Sequence, residues 1–386
     1  MHKYYKILTV FLICIFVLTG TIIYAQDQDF NLNVPSAILI EAESGQVLYE
    51  KNADEKLSPA SITKIMTLII AMEKIENGEL SLDDSVNVSK YAESMGGSQI
   101  FLAANTNVKV RDLLKAITIA SANDASVAIA EAIGGSYSNF VTMMNKKAEE
   151  LGMNNTYFSN STGLPTKSAH YTTARDITKM ARELVKYKQV LEWATIWVDY
   201  IDLPNRKAMI SNTNKLIKKY PGIDGLKTGH TNKAGFCLTA TAKRDMRLIS
   251  VVLKAKSEIE REELTARLLD YGFNRFTKKQ LVVKGQEIQN IAVPNGSKEF
   301  TTGIVNSDLE AVIKRGQEDT LETKVEIKEG IEAPIKKGDL LGYKAVIQDE
   351  KKLAYANIIA KEDIDRANIF VRLWRSFVNW LGSLMK

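Results

Sequence analysis

Ser61 and Lys64 stand three residues apart at the head of an apolar run, in Ser58-Pro-Ala-Ser-Ile-Thr-Lys-Ile-Met66. On a helix such positions face the same way. A serine hydroxyl is a weak nucleophile until a base takes its proton, and a lysine among apolar side chains sheds its own proton more easily. A neutral amine one turn from a hydroxyl is therefore a candidate general base. The backbone N–H of Ser61, near a helix start, can point at a developing oxyanion. Spacing alone does not decide the matter, because Ser383 and Lys386 share it.

Further short motifs join the pair. Ser121-Ala-Asn123 falls between helical patterns, where its polar side chains can line a cleft; Ser85-Val-Asn87 has the same form and reads equally well as a cap. Lys227-Thr228-Gly229 lies in a strand pattern. A strand-borne lysine beside a hydroxyl suits a substrate carboxylate, and the glycine admits a peptide backbone closely.

These residues need elements to hold them. Residues 37–50 predict a hairpin turning at Ser44-Gly45. Ser58 is expected to cap a helix with Pro59 at its first position, followed by apolar residues at helical spacing from Ile62 to Ile75. Helices are expected near 111–120, 124–133 and 138–151, the last stopped by Gly152, and another near 258–273. Residues 222–253 predict antiparallel strands turning at Lys243-Arg-Asp. The first domain is thus an α/β (α+β) unit, 26–276, with a helical segment inserted between early and late strands of one antiparallel sheet. Alternating segments separated by Gly, Asn and Lys-Gly-Asp turns predict a small all-β domain over 277–360.

Both ends differ from the middle. Lys3 and Lys6 precede an apolar stretch from Ile7 to Ile23, and Ala25 closes it, the layout of a secretory signal peptide over 1–25. Cys14 follows Ile13, whereas a lipoprotein signal needs a small residue there. Within 361–386, a helix over 364–386 gathers Phe370, Leu373, Trp374, Phe377, Trp380, Leu381, Leu384 and Met385 on one face. Arg372, Arg375, Ser376, Asn379 and Ser383 fill the other. Arg366, Arg372, Arg375 and Lys386 against Asp365 make it cationic, which predicts a helix lying in an anionic membrane surface rather than spanning it.

The chain has 386 residues and a net charge of +5, without a long basic run or aromatic-interleaved basic patch, so nucleic acid is not an expected partner. Beyond the first 25 residues only Cys237 remains, reading as a small buried residue rather than a nucleophile. No His/Cys/Asp cluster has metal-ligand spacing and no phosphate-cradling loop occurs; neither metal nor cofactor is expected.

The order Ser-x-x-Lys, Ser-x-Asn, Lys-Thr-Gly is that of penicillin-binding proteins and class A β-lactamases. The sequence resembles the low-molecular-mass (class C) penicillin-binding proteins that are D-alanyl-D-alanine carboxypeptidases, of the vegetative and sporulation Gram-positive type. The stretches that carry the resemblance are 39–49, 58–67, 96–102 (G-G-S-Q-I-F-L), 120–125, 170–176 and 225–236 (G-L-K-T-G-H-T-N-K-A-G-F). The resemblance implies an exported enzyme, held by residues 364–386 at the outer face of the cytoplasmic membrane, that trims peptidoglycan stem peptides ending in D-Ala-D-Ala and is acylated by β-lactams. It implies that Ser61 is acylated, that Lys64 is its base, and that Ser121 relays a proton toward the leaving amine. Asn123 would orient the peptide, while Lys227 and Thr228 hold the terminal carboxylate. The N–H groups of Ser61 and His230 would form the oxyanion hole. Arg261 resembles a carboxylate-binding arginine, although Glu260 stands where relatives carry glycine. His170 is read as structural.

Three other readings share these motifs. A β-lactamase-like hydrolase would need a deacylating glutamate, and no Glu-x-x-Leu-Asn lies between Asn123 and Lys227. A non-catalytic wall-peptide or β-lactam binder would be free to lose Ser61, Lys64, Ser121 and Lys227. An endopeptidase would use the same site with a wider cleft.

Overall fold

The computed structural model describes residues 30–384, apart from 318, 319 and 349. The expected signal peptide lies outside the described residues. Ser36–Glu41 (β1) and Val47–Lys51 (β2) form the anticipated hairpin. The turn Ala60–Thr63 is a 3-10 helix, and Lys64–Glu76 (α1) continues from it. The expected capping is therefore corrected: Ser58 caps nothing, Pro59 precedes the turn without a side-chain cap, and Ser61 sits in the tighter turn ahead of α1. Eclipsed i, i+3 positions of a 3-10 turn still bring Ser61 to Lys64.

A helical segment follows. Ser85–Asn87 (β3) pairs with Asn107–Lys109 (β4) around the short helix Lys90–Glu93 (α2). Next come Val110–Ala120 (α3), Asn123–Gly134 (α4), Tyr137–Glu150 (α5), Ala174–Leu184 (α6) and Lys188–Ala194 (α7). Caps fix several starts: Ser136 accepts from Asn139 N and Thr173 from Asp176 N. Gly152, left-handed at φ 68°, follows the end of α5. Val198–Leu203 (β5) and Arg206–Ser211 (β6) make a hairpin absent from the sequence reading.

Ile223–Thr231 (β7), Gly235–Lys243 (β8) and Arg247–Ala255 (β9) return the chain to the first hairpin. All pairs are antiparallel, in the order β2-β1-β9-β8-β7. β1 lies between two strands and is buried throughout, so its faces part by alternation. Ile38 and Ile40 join the large core with Ile65, Ile69, Ile117 and Ile177. Leu39 points to the other face and meets the helix Glu258–Arg275 (α8). There Gly272 permits contact: a Cβ would lie 2.7 Å from Leu39 Cδ2 and 2.6 Å from Leu248 Cδ1. β7 is left as an edge strand.

The chain enters Phe276–Val282 (β10) directly after α8, and β10 pairs with Leu309–Lys314 (β13). Glu287–Ala292 (β11), Phe300–Val305 (β12), Glu322–Ile327 (β14), Leu340–Gln348 (β15) and Lys351–Ala360 (β16) form a second sheet, ordered β11-β12-β16-β15-β14. Its own core gathers Val282, Val305, Leu341, Val346 and Ile358.

The terminal helix, Ile369–Leu384 (α9), begins later than expected. Ile364 instead bridges Ile335, and Arg366 bridges Gly296, so this stretch is tied to the β-rich part. Arg375 donates to Gly296 O at 2.7 Å and pairs with Glu299 at 2.9 Å. Phe370, Leu373 and Trp374 are 79%, 63% and 67% exposed. The side chains of Trp380, Leu381 and Leu384, and all of Met385 and Lys386, lie outside the description. Among the described residues, no helix is long and apolar enough to cross a membrane.

Candidate active site

The 3-10 turn that carries Ser61 is pressed from two sides. Ala60 is held at φ 46°, and Gly163 at φ 79° lies so close that a Cβ there would fall 1.8 Å from Ala60 O. On the other side runs the outer edge of β7: a Cβ on Gly229 would lie 2.9 Å from Pro59 O and 3.1 Å from Ser61 N. Two glycines thus allow three segments of backbone to meet at the serine.

Lys64 has no exposed surface. Its Nζ lies 2.9 Å from Ser61 Oγ and donates to Thr162 O at 2.8 Å. Burial, aided by the nearby charge of Lys227, holds its pKa well below the ordinary lysine value; Asp124 opposes this. In its neutral form Lys64 can give one hydrogen to Thr162 O and turn its lone pair to the Ser61 hydroxyl. Thr162 is itself anchored, because Asn160 Oδ1 accepts from the N–H of Thr162 at 3.1 Å and of Gly163 at 2.7 Å.

Ser121 ends α3 in the left-handed region, at φ 62° and ψ 29°, and lines the cleft. Two residues on, Asn123 opens α4. Its Nδ2 donates to Gly96 O at 2.6 Å and its N–H to Ser98 O at 2.7 Å, while its buried Oδ1 has no partner among the described residues. Asn123 thus keeps an unused acceptor and a second Nδ2 hydrogen at the cleft lining. Asp124, wholly buried, accepts from the N–H groups of Ile100 (3.0 Å), Leu102 (3.1 Å) and Ala125 (2.9 Å), which fixes this wall; burial raises its pKa.

β7 supplies the opposite wall. Thr228 Oγ1 donates to Thr213 Oγ1 at 2.7 Å, and His230 stacks on Phe236 with ring centroids 4.1 Å apart. Lys227 is buried behind the lining, with Nζ 3.3 Å from Thr228 O. Burial first, then the charge of Arg261, pushes its pKa down to about 7. Arg261, 3% exposed, reaches the cleft from α8; burial lowers its pKa, and its Nε has no partner among the described residues. The cleft is about 440 Å³ and also takes in Gly97, Ser98, Leu164, Thr213, Lys215, Gly229 and Glu258.

The residues assigned to the site from the sequence converge: Ser61, Ser121, Asn123, Thr228, Gly229, His230 and Arg261 on the lining, Lys64 and Lys227 behind it. His170 lies elsewhere in role. Its Nδ1 accepts from Ser159 N at 3.2 Å, so Nε2 carries the hydrogen and donates to Thr63 Oγ1 at 2.8 Å; burial lowers its pKa to about 4. Thr213, Lys215 and Glu258 were missed, and nothing in their local sequence marks them. Among the described residues no group of three or more His, Cys, Asp or Glu side chains could hold a metal ion. A buried amine on a serine, beside a cationic subsite, suits acyl transfer from a substrate that ends in an anion.

Residues 18–257 match the family described as D-alanyl-D-alanine carboxypeptidase, and residues 276–366 match the C-terminal domain of penicillin-binding protein 5. D-alanyl-D-alanine carboxypeptidase DacF of Bacillus subtilis is 42% identical over 348 residues, 89% of this chain and 89% of that protein. Penicillin-binding protein 5 of Haemophilus influenzae superposes with a TM-score of 0.78 at 30% identity, covering 87% of this chain and 99% of that one. D-alanyl-D-alanine carboxypeptidase DacD of Francisella tularensis gives a TM-score of 0.73 at 28% identity, covering 91% and 98%.

Proposed function

Because this chain belongs to the D-alanyl-D-alanine carboxypeptidase family, we propose that its cleft removes the terminal D-alanine of peptidoglycan stem peptides through an acyl-enzyme on Ser61. It is a serine-type carboxypeptidase and a penicillin-binding protein. The peptide lies along the outer edge of β7, which pairs with no further strand among the described residues. Its terminal carboxylate faces Thr228 and Arg261, with the charge of Lys227 behind.

Lys64 takes the Ser61 proton as Oγ attacks the carbonyl between the two D-alanines. Negative charge develops on that oxygen near the N–H groups of Ser61 and His230. The proton passes by Ser121 to the departing amine, the C–N bond breaks, and free D-alanine leaves. Water, giving its proton to Lys64, then attacks the ester and restores Ser61. A β-lactam enters the same sequence when Ser61 opens its ring. The observation that carries this reading is the contact of 2.9 Å from a wholly buried lysine to Ser61 Oγ.

The site works outside the cytoplasmic membrane in this reading. Residues 1–25 direct export, 26–276 form the catalytic domain, and 277–360 form a β-rich spacer. The terminal helix lies in the anionic surface, its apolar side chains inward. The exposure of Phe370, Leu373 and Trp374 beside a tethered Arg375 supports this.

The test is D-alanine release from a tripeptide ending in D-Ala-D-Ala, with Ser61→Ala alongside. Release by the wild type, with neither release nor covalent penicillin labelling in the variant, is expected. Labelling that persists at another residue would defeat the assignment.

A further inference from the structure

Part of the cleft wall is an ion chain. Lys215 stands at the start of the 3-10 turn Lys215–Lys218, and its Nζ donates to Glu258 Oε2 at 2.9 Å. The other oxygen of Glu258, Oε1, accepts from Arg261 Nη2 at 3.2 Å. Lys215 and Glu258 are half-exposed and line the cleft, whereas Arg261 is buried. Glu262 stands 3.8 Å from Arg261 and is drawn outward in the same manner, by Lys219 at 2.8 Å.

The division of the two Glu258 oxygens matters. A guanidinium binds a carboxylate best through a fork of two parallel N–H bonds. Here Glu258 spends one oxygen on Lys215 and offers Arg261 the other alone. Arg261 Nε, buried and without a partner among the described residues, stays open to a second carboxylate. Without Lys215, both oxygens of Glu258 are free to close the fork on Nε and Nη2 and fill the anion subsite from within. The hydrogen bond from Lys215 and the charge of Arg261 both hold the Glu258 carboxyl below its ordinary range, and the second remains when Lys215 is removed.

We propose that Glu258 is an internal competitor for the substrate's terminal carboxylate at Arg261, and that Lys215 is the positioning residue that draws it aside. This rests on the carboxypeptidase reading, in which Arg261 receives that carboxylate. Lys215 touches Glu258 rather than the reacting atoms, so its effect falls on binding and not on the chemical step.

The experiment compares the full-length wild type with Lys215→Met, Glu258→Gln and the double variant, by kcat and KM on the D-Ala-D-Ala tripeptide and by the second-order rate of acylation by benzylpenicillin. Lys215→Met is expected to raise KM about five-fold and to change kcat less than about two-fold, the scale of an exposed ion pair. Glu258→Gln is expected not to raise KM, and the double variant to return to the level of Glu258→Gln. An unchanged KM in Lys215→Met would overturn the proposal. So would a double variant that keeps the raised KM, since Lys215 would then bind substrate itself or support the fold. Penicillin also carries a carboxylate. A wild type acylated by it without releasing D-alanine would strike the carboxypeptidase reading alone, while the acylation rates would still read the effect of Lys215.

Discussion

Lys64 Nζ meets Ser61 Oγ at 2.9 Å from a side chain with no exposed surface. The pair crosses a boundary between two kinds of helix, with the serine in a 3-10 turn and the lysine opening α1. The tighter turn stacks i on i+3, and the buried helix keeps the amine in a medium that disfavours its charge. Geometry and basicity at this site therefore have separate sources, and each can be perturbed without the other.

Gly229→Ala perturbs geometry alone. The added Cβ meets Pro59 O at 2.9 Å and Ser61 N at 3.1 Å, so β7 or the serine turn must shift. Overpacking of this kind costs about 1–3 kcal/mol, and a shift at the oxyanion donors is expected to lower the rate of penicillin acylation about 10- to 100-fold. Circular dichroism should remain that of the wild type. An acylation rate equal to the wild type's would show that the two backbones do not need this proximity.

Lys227 is expected to gain a proton when a carboxylate binds. Its pKa is held at about 7 by burial and the charge of Arg261, and an anion beside it raises that value. At about pH 8 the free side chain is mostly neutral and the bound one charged, so binding takes up as much as about one proton. At about pH 6 it is charged in both states and uptake vanishes. Calorimetry of Ser61→Ala with the tripeptide, in buffers of different ionisation heat, measures this. Equal heats at the higher pH would remove Lys227 from the carboxylate's partners.

His170 makes the fold sensitive to acid. Its folded pKa is about 4 against an unfolded 6.5, so between these values the unfolded chain binds a proton that the native one does not. Stability is therefore intact above about pH 6.5 and falls as pH drops toward about 4, by up to about 3 kcal/mol. His170→Gln should flatten that part of a denaturation-versus-pH curve, because glutamine does not titrate. An identical slope in the variant would assign the acid sensitivity to other groups.

Removing residues 369–386 should abolish sedimentation with vesicles containing anionic lipid while leaving D-alanine release unchanged. The cut is placed after Ile364 and Arg366 because both bridge to the β-rich part. Vesicle binding that survives the truncation would place the membrane contact elsewhere in the chain.

Much of this arrangement was legible because local pattern and tertiary need agreed. Ser61 and Lys64 are legible only together with the later Ser-x-Asn and Lys-Thr-Gly motifs in their order along the chain, and Lys227-Thr228-Gly229 also by a strand pattern that β7 obeys. The capping of the first helix misled, because Ser58-Pro59 looks like a local start signal. The real turn begins at Ala60 in a left-handed conformation imposed by Gly163 and β7, contacts distant in sequence. Thr213 and Lys215 were invisible for a related reason. They lie in a polar segment after a hairpin of mixed composition, and only folding sets them against Thr228 and Glu258. In the β-rich part, the alternating segments 280–283, 310–313, 324–327 and 353–356 are legible in the sequence and fall on β10, β13, β14 and β16. β11, β12 and β15 alternate less cleanly, Gly303 and Gly342 interrupting two of them, and are not.

Ser121 occupies a left-handed conformation that a glycine would adopt without strain. Drift toward stability therefore pulls this position away from a hydroxyl: Ser121→Gly removes strain and the proposed proton relay in one step. A lineage released from the need to turn over its substrate should lose activity here while becoming more robust. Strain and the proposed relay meet at one residue, so at this position a gain in stability and a loss of turnover are expected to come together.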